Sequence, residues 1–119
     1  MIKKILIFCS CTLFLACPQK DDGVYCTEEF VYGLSITVTV SGEYVTEGIT
    51  VTATDGTYSE ELMSFPEGTN FVGAGERPGT YVINITSEIY QEFNSELIQV
   101  DADACHVIPE VRTFELQPL

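Results

Sequence analysis

The sequence predicts an all-β protein, an antiparallel sandwich of about seven short strands. Three observations carry that expectation. Apolar and hydroxyl residues alternate in several short runs, the pattern of a strand with one buried face. Turn-forming clusters of Gly, Pro, Asp and Ser separate the runs. No stretch of ten or more residues shows the 3.6-residue apolar period of an amphipathic helix, so helix content should be minimal.

Leu34 to Val40 is the clearest run, with Leu34, Ile36, Val38 and Val40 on one face and Ser35, Thr37 and Thr39 on the other. Ser41-Gly42-Glu43 ends it. Ile49 to Ala53 repeats the pattern with Ile49, Val51 and Ala53 inward. Asp55-Gly56 then signals a hairpin, because Gly accepts the positive φ that a tight turn of the right twist requires. Tyr58 to Ser64 follows, and Pro66-Glu67-Gly68 turns the chain into Asn70 to Gly73. Gly73-Ala74-Gly75 reads as a flexible loop, with no helix behind it to hold a phosphate. Pro78-Gly79 leads into Tyr81 to Thr86, whose inward side is again apolar. Phe93 to Val100 and Val107 to Gln117 complete the set. Pro109 lacks an N–H and confines the start of the last run to an edge or a bulge. Half-buried sheets must cover their apolar faces with one another, so these strands imply a sandwich.

The length of 119 residues suits one domain. With 45% hydrophobic and 19% charged residues there is material for a core, which excludes a disordered acidic tail. Five Lys and Arg stand against 18 Asp and Glu, a formal charge of −13. Nucleic acid and anionic membrane surfaces would repel such a chain, so neither is an expected partner.

The N-terminus has the three parts of a secretory signal: Lys3-Lys4, an apolar run from Ile5 to Leu15, and a small residue at Ala16. The run is too short to span a bilayer as a helix. Phe14-Leu15-Ala16-Cys17 resembles the lipobox of bacterial lipoproteins. That resemblance implies cleavage before Cys17 and acylation of its thiol, so the membrane partner is reached through two or three acyl chains rather than through the surface charge. Cys9 and Cys11 would leave too short an apolar region ahead of them, and neither follows Gly or Ala. The segment from Pro18 to Gly23 reads as a solvated tether. Within it Gln19, Lys20, Asp21 and Asp22 resemble the export signal that sends lipoproteins of Bacteroidetes, flavobacteria in particular, to the outer face of the outer membrane. The expected organisation is a signal over residues 1–16, a lipidated cysteine and tether over 17–29, and a sandwich over 30–119. Cleavage leaves Lys20, Arg77 and Arg112 against all 18 carboxylates, a formal charge of −15.

Cys26 and Cys105 remain. In an extracytoplasmic protein two leftover cysteines should pair, and no Cys-x-x-Cys spacing or third ligand points to redox or metal chemistry.

Glu76-Arg-Pro-Gly-Thr-Tyr81, running into Val82 to Ile85 and then Ile89-Tyr90, resembles the Pro-Gly-Thr-Tyr strand of carboxypeptidase regulatory-like domains. Leu34 to Val40, Gly48 to Ala53 and Phe114-Glu-Leu116 are similar to that family's first two strands and its closing strand. The resemblance covers roughly residues 30 to 118. It implies a seven-stranded, transthyretin-like Greek-key sandwich and a module without catalytic residues.

Any triad must use His106, the one histidine, and no Gly-x-Ser-x-Gly turn accompanies it. The carboxylate pairs Glu28-Glu29 and Glu60-Glu61 are the pairs that an acidic chain supplies by abundance. Asp101 and Asp103 are the first candidates for Ca²⁺, although the Gly and terminal Glu of an EF-hand loop are missing; no cofactor is expected. Tyr44, Tyr58 and Tyr90 fall near turns and offer rings for sugars, against the commoner use of such rings in packing. The expected function is a non-enzymatic, outer-membrane, surface-exposed lipoprotein displaying a binding or structural module to a protein or glycan partner. The alternative is a carbohydrate-binding component of a nutrient-uptake system.

Overall fold

The computed structural model describes residues 25–119. The expected signal and the features at Cys17, Gln19, Lys20, Asp21 and Asp22 lie outside the described residues. Those that are described form strands and connections, with no helix among them. The strands are β1 (Tyr32–Val40), β2 (Glu43–Tyr44), β3 (Ile49–Asp55), β4 (Tyr58–Glu61), β5 (Met63–Ser64), β6 (Asn70–Gly75), β7 (Gly79–Ser87), β8 (Phe93–Asn94), β9 (Ile98–Val100) and β10 (Glu110–Glu115).

Two five-stranded sheets result. One runs β9-β7-β3-β4, with β8 also on β7; the other runs β10-β1-β6-β5, with β2 also on β1. The alternation in the sequence sets which face is inside: Leu34, Ile36 and Val38 from β1, Val51 and Ala53 from β3, and Tyr81, Ile83 and Ile85 from β7 are completely buried in one core.

The turns obey their residues. Ser41 and Gly42 link β1 to β2 with φ of 52° and 82°, the two positive values of a type I′ hairpin. Gly56 has φ of 62° at the first central position of the β3–β4 hairpin, where Asp55 pairs with Tyr58.

Three features depart from the expected seven antiparallel runs, and each has a local cause. The run from Tyr58 to Ser64 changes sheets: β4 pairs with β3, β5 pairs with β6, and Leu62 sits at the corner, 3% exposed, with its N–H bonded to the Val51 carbonyl at 2.8 Å. The run from Phe93 to Val100 follows β7 throughout but is broken by a bulge. Ser95 N–H bonds to the Ile83 carbonyl, whereas Ile98 pairs with Tyr81, so three steps on this strand match two on β7. The extra residue pushes Leu97 outward.

The third departure is direction. β10 pairs with β1 in parallel, from Glu110 opposite Leu34 to Glu115 opposite Thr39, while the other pairings are antiparallel. The cause lies ahead of both strands, where Cys26 and Cys105 stand together; strands that start side by side run the same way. β10 begins just after Pro109 and lies at the edge of its sheet, as that proline requires.

Gly73-Ala74-Gly75 is not a flexible loop but part of β6, paired with β1. Gly73 is needed because a Cβ there would run into the Leu62 side chain at the corner. Ala74 is buried with φ of 53° and donates its N–H to Glu60 Oε1 at 3.0 Å, which offsets a conformation that a side chain rarely takes. Glu76, at φ of 49°, repeats that backbone twist just past the strand.

Candidate functional site

The densest polar cluster lies where the approach to β1, the end of β6 and the entry to β10 converge. Cys26 and Cys105 are at bonding distance, with Cα atoms 5.2 Å apart. Asp103 Oδ1 accepts the N–H groups of Cys105 and His106 at 2.8 and 2.9 Å, and its own N–H bonds back to the His106 carbonyl. This fixes the His106 ring against Glu76, Nδ1 to Oε2 at 2.6 Å, with Nε2 3.2 Å from Thr27 Oγ1. Glu76 also accepts the Val31 N–H at 3.0 Å and the Val107 N–H at 3.2 Å. One carboxylate therefore ties two segments distant in sequence to its own.

Hydroxyl, imidazole and carboxylate stand here in the order of a hydrolytic relay. The Glu76 hydrogen bond outweighs desolvation and raises the His106 pKa, with the charges of Glu76, Glu29 and Asp103 adding to it. Partial burial opposes the Glu76 carboxylate, but the bonds from His106, Val31 and Val107 prevail and hold its pKa below the ordinary value. Thr27 itself lies on an exposed segment outside any strand. The arrangement acts as a clasp.

Its pH dependence follows from the two directions. Stabilisation from protonated His106 is complete below the ordinary imidazole value of 6.5 and is lost as pH rises through the raised folded value. Stabilisation from ionised Glu76 is complete above 4.5 and is lost as pH falls through its lowered value. Both hold between these limits. Melting temperature measured from pH 2 to 9 should decline on the alkaline side, and His106→Gln should abolish that decline while an acid limb persists, to which Asp103 and Glu115 contribute through their lowered pKa values. An unchanged alkaline limb in the variant would refute the assignment.

The other sequence candidates are dispersed. Asp101 accepts Gln99 Nε2 at 2.9 Å, whereas Asp103 is committed to its own loop; no group of three or more His, Cys, Asp or Glu among the described residues is arranged to hold a metal. Glu28 and Glu29 are both exposed ahead of β1. Glu60 turns inward to Tyr58 and Ala74 while Glu61 faces solvent, so the strand alternation separates that pair. The tyrosines form no common platform. Arg77 covers the Tyr58 ring at 3.6 Å from its centroid and Tyr90 packs on the core, leaving Tyr44 exposed on β2.

A feature without a sequence signal is a groove of about 400 Å³ between the edges of the two sheets, lined by Phe93 to Ile98, Arg112 and Phe114. The Phe93 and Phe114 rings meet across it with centroids 4.7 Å apart. The bulge after Ser95 falls within this lining, and Leu97 beside it is exposed. Glu76 as the partner of His106 was equally hidden, since thirty residues separate them and no motif spacing relates the two. Compared with protein-family models, with curated proteins and with solved structures, the chain finds no match.

Proposed function

We propose that this protein is a non-enzymatic lipoprotein of the outer membrane, anchored through Cys17 and exposed at the cell surface, where it displays its sandwich as a binding or structural module. The carrying observation is the sequence Phe14-Leu15-Ala16-Cys17 followed, after Pro18, by Gln19-Lys20-Asp21-Asp22. In this reading the sandwich is of the transthyretin-like Greek-key type of carboxypeptidase regulatory-like domains, which the Pro78-Gly79-Thr80-Tyr81 turn and strand support. The nine steps from Cys17 to Cys26 reach at most about 30 Å, so the domain stays close to the bilayer. Mutual repulsion of acidic copies suits such display.

Metabolic labelling with an alkyne fatty acid should mark the chain, and Cys17→Ser should abolish the label. Protease added to intact cells should remove the domain. Retained label in the variant would overturn the anchor; protection of the domain in intact cells would overturn surface exposure alone.

A further inference from the structure

The sandwich has two long sides, and they are finished differently. On one, the strand from Tyr58 to Ser64 crosses between the sheets and closes the seam at Leu62. On the other, one sheet ends at β10 and the second at β8 and β9, with the Phe93–Phe114 groove between them.

β10 is open along its outer edge. Leu116 donates its N–H to the Thr39 carbonyl at 2.8 Å, and by the alternation of a parallel ladder the groups of Arg112 and Phe114 face β1 as well. The N–H and C=O groups of Val111, Thr113 and Glu115 then point away from the sheet. Arg112 Nη1 on the Val111 carbonyl, at 3.0 Å, fits that direction. Edge strands are commonly guarded by Lys, Pro or an inward charge at their centre. Here the inward charge is Arg112, which lines the groove but is already paired with Glu110 and bonded to the Val111 carbonyl; beside it Val111 is 64% exposed, and Leu97 at the groove's rim is 69% exposed.

Charge selects the occupant. All of the 18 Asp and Glu except Asp21 and Asp22 lie within the described residues, against Arg77 and Arg112, which already face Asp55 and Glu110. Glu96 stands on the groove, and Glu110 and Glu115 end the open strand. A second copy fits poorly, because it joins two strongly acidic chains.

We propose that β10 and the Phe93–Phe114 groove form a strand-addition site for an extended cationic segment of a partner protein, with apolar side chains turned into the groove and Lys or Arg on the opposite face. Main-chain bonds to the Val111 N–H and to the N–H and C=O groups of Thr113 and Glu115 supply affinity, and the groove reads the alternation. This deepens the binding-module reading and rests on it.

The test uses the full chain in detergent and a labelled seven-residue peptide alternating Lys and Val. Its controls are a peptide of the same composition with the Lys and Val in separate blocks, and one alternating Glu and Val. The alternating cationic peptide should bind saturably, at least tenfold tighter than either control, and slow amide exchange in residues 110–116. Thr113→Pro removes an outward N–H while sparing the ladder to β1, and should weaken binding at least tenfold. Leu97→Ser, which leaves the strand intact, should weaken it too. Equal binding of the block peptide, indifference of both variants, or protection spread over the acidic surface would reduce the effect to diffuse attraction and overturn the proposal. So would a peptide-free dimer abolished by Thr113→Pro, which gives the edge to a second copy. Binding seen only after removal of residues 18–24 would give it to the chain's own tether and overturn the proposal as well. Acyl labelling and protease access do not depend on Thr113, so failure here leaves the anchoring and display reading to be judged separately.

Discussion

Replacing Cys105 with Ser lowers the unfolding free energy by about 4 kcal/mol and the melting temperature by roughly 15–30 °C. The separation of 79 residues between Cys26 and Cys105 sets the size, since a crosslink removes more entropy from the unfolded chain as the loop it closes lengthens. That is a large share of the ~5–15 kcal/mol that holds a domain together. The bond also has a native role. The approach to β1 before Tyr32 has no strand pairing of its own, and Cys105 holds it beside the entry to β10. Denaturant unfolding of the wild-type chain and of Cys26→Ser, Cys105→Ser and the double variant is the check. Each single change should cost as much as both, because each removes the same bond. Wild type under reducing conditions should match them. A loss below about 1 kcal/mol would mean that the Glu76 clasp and the β10–β1 ladder already fix these segments without it.

Period-2 patterning was sufficient for the core because burial alone decides which side of a strand faces in. Ile36, Val51 and Ile83 are where the alternation places them. Strand count and direction were harder to read. Nothing local at Leu62 or Leu97 distinguishes a corner or a bulge from a continuing strand, since both residues are apolar and only their neighbours in the other sheet or on β7 decide their fate. The parallel β10–β1 pair was readable in principle. Two cysteines that both precede strands place the strand starts together, and this conflicts with an all-antiparallel order; the conflict shows only when pairing and topology are considered jointly. Gly73-Ala74-Gly75 misled for the opposite reason. Composition suggested freedom, whereas the glycine serves close packing and Ala74 is held in a left-handed conformation by a bond to Glu60.

The polar cluster was legible by halves. His106 beside Cys105 stood out as the lone histidine, the one residue that a triad would have had to use. Its partner could not be found from spacing, because Glu76 reaches it only after β6 and the entry to β10 have been brought together by the sheet. The groove is less legible still. It depends on an unpaired edge, a bulge and two phenylalanines from different sheets, none of which is a local property of the sequence.

Tyr81→Ala should cost about 3–5 kcal/mol, and Tyr81→Phe about 1–2 kcal/mol. Tyr81 is the largest of the fully buried side chains, set among the Val and Ile of the core at 0% exposure. A hydroxyl in that position requires partners. It donates to the Arg77 carbonyl at 2.8 Å and accepts from Arg77 Nη1 at 3.0 Å, while the same guanidinium bonds Asp55 at 3.1 Å. The hydroxyl thus ties the start of β7 back over the turn that precedes it, in the manner of the tyrosine corner of sandwich folds. Gly79 lets the arrangement close, since a Cβ there would meet the Asp55 carboxylate and Arg77. The two variants separate ring from hydroxyl: alanine loses the packed ring as well, whereas phenylalanine leaves the Arg77 carbonyl without its donor. Repeating Tyr81→Phe in an Arg77→Ala background divides the smaller effect further, because the guanidinium bond is absent there and the penalty that persists belongs to the carbonyl. Denaturant midpoints of the four chains measure it. If Tyr81→Phe is neutral in both backgrounds, the hydroxyl network does not stabilise the turn, and the ring alone explains a tyrosine at the head of β7.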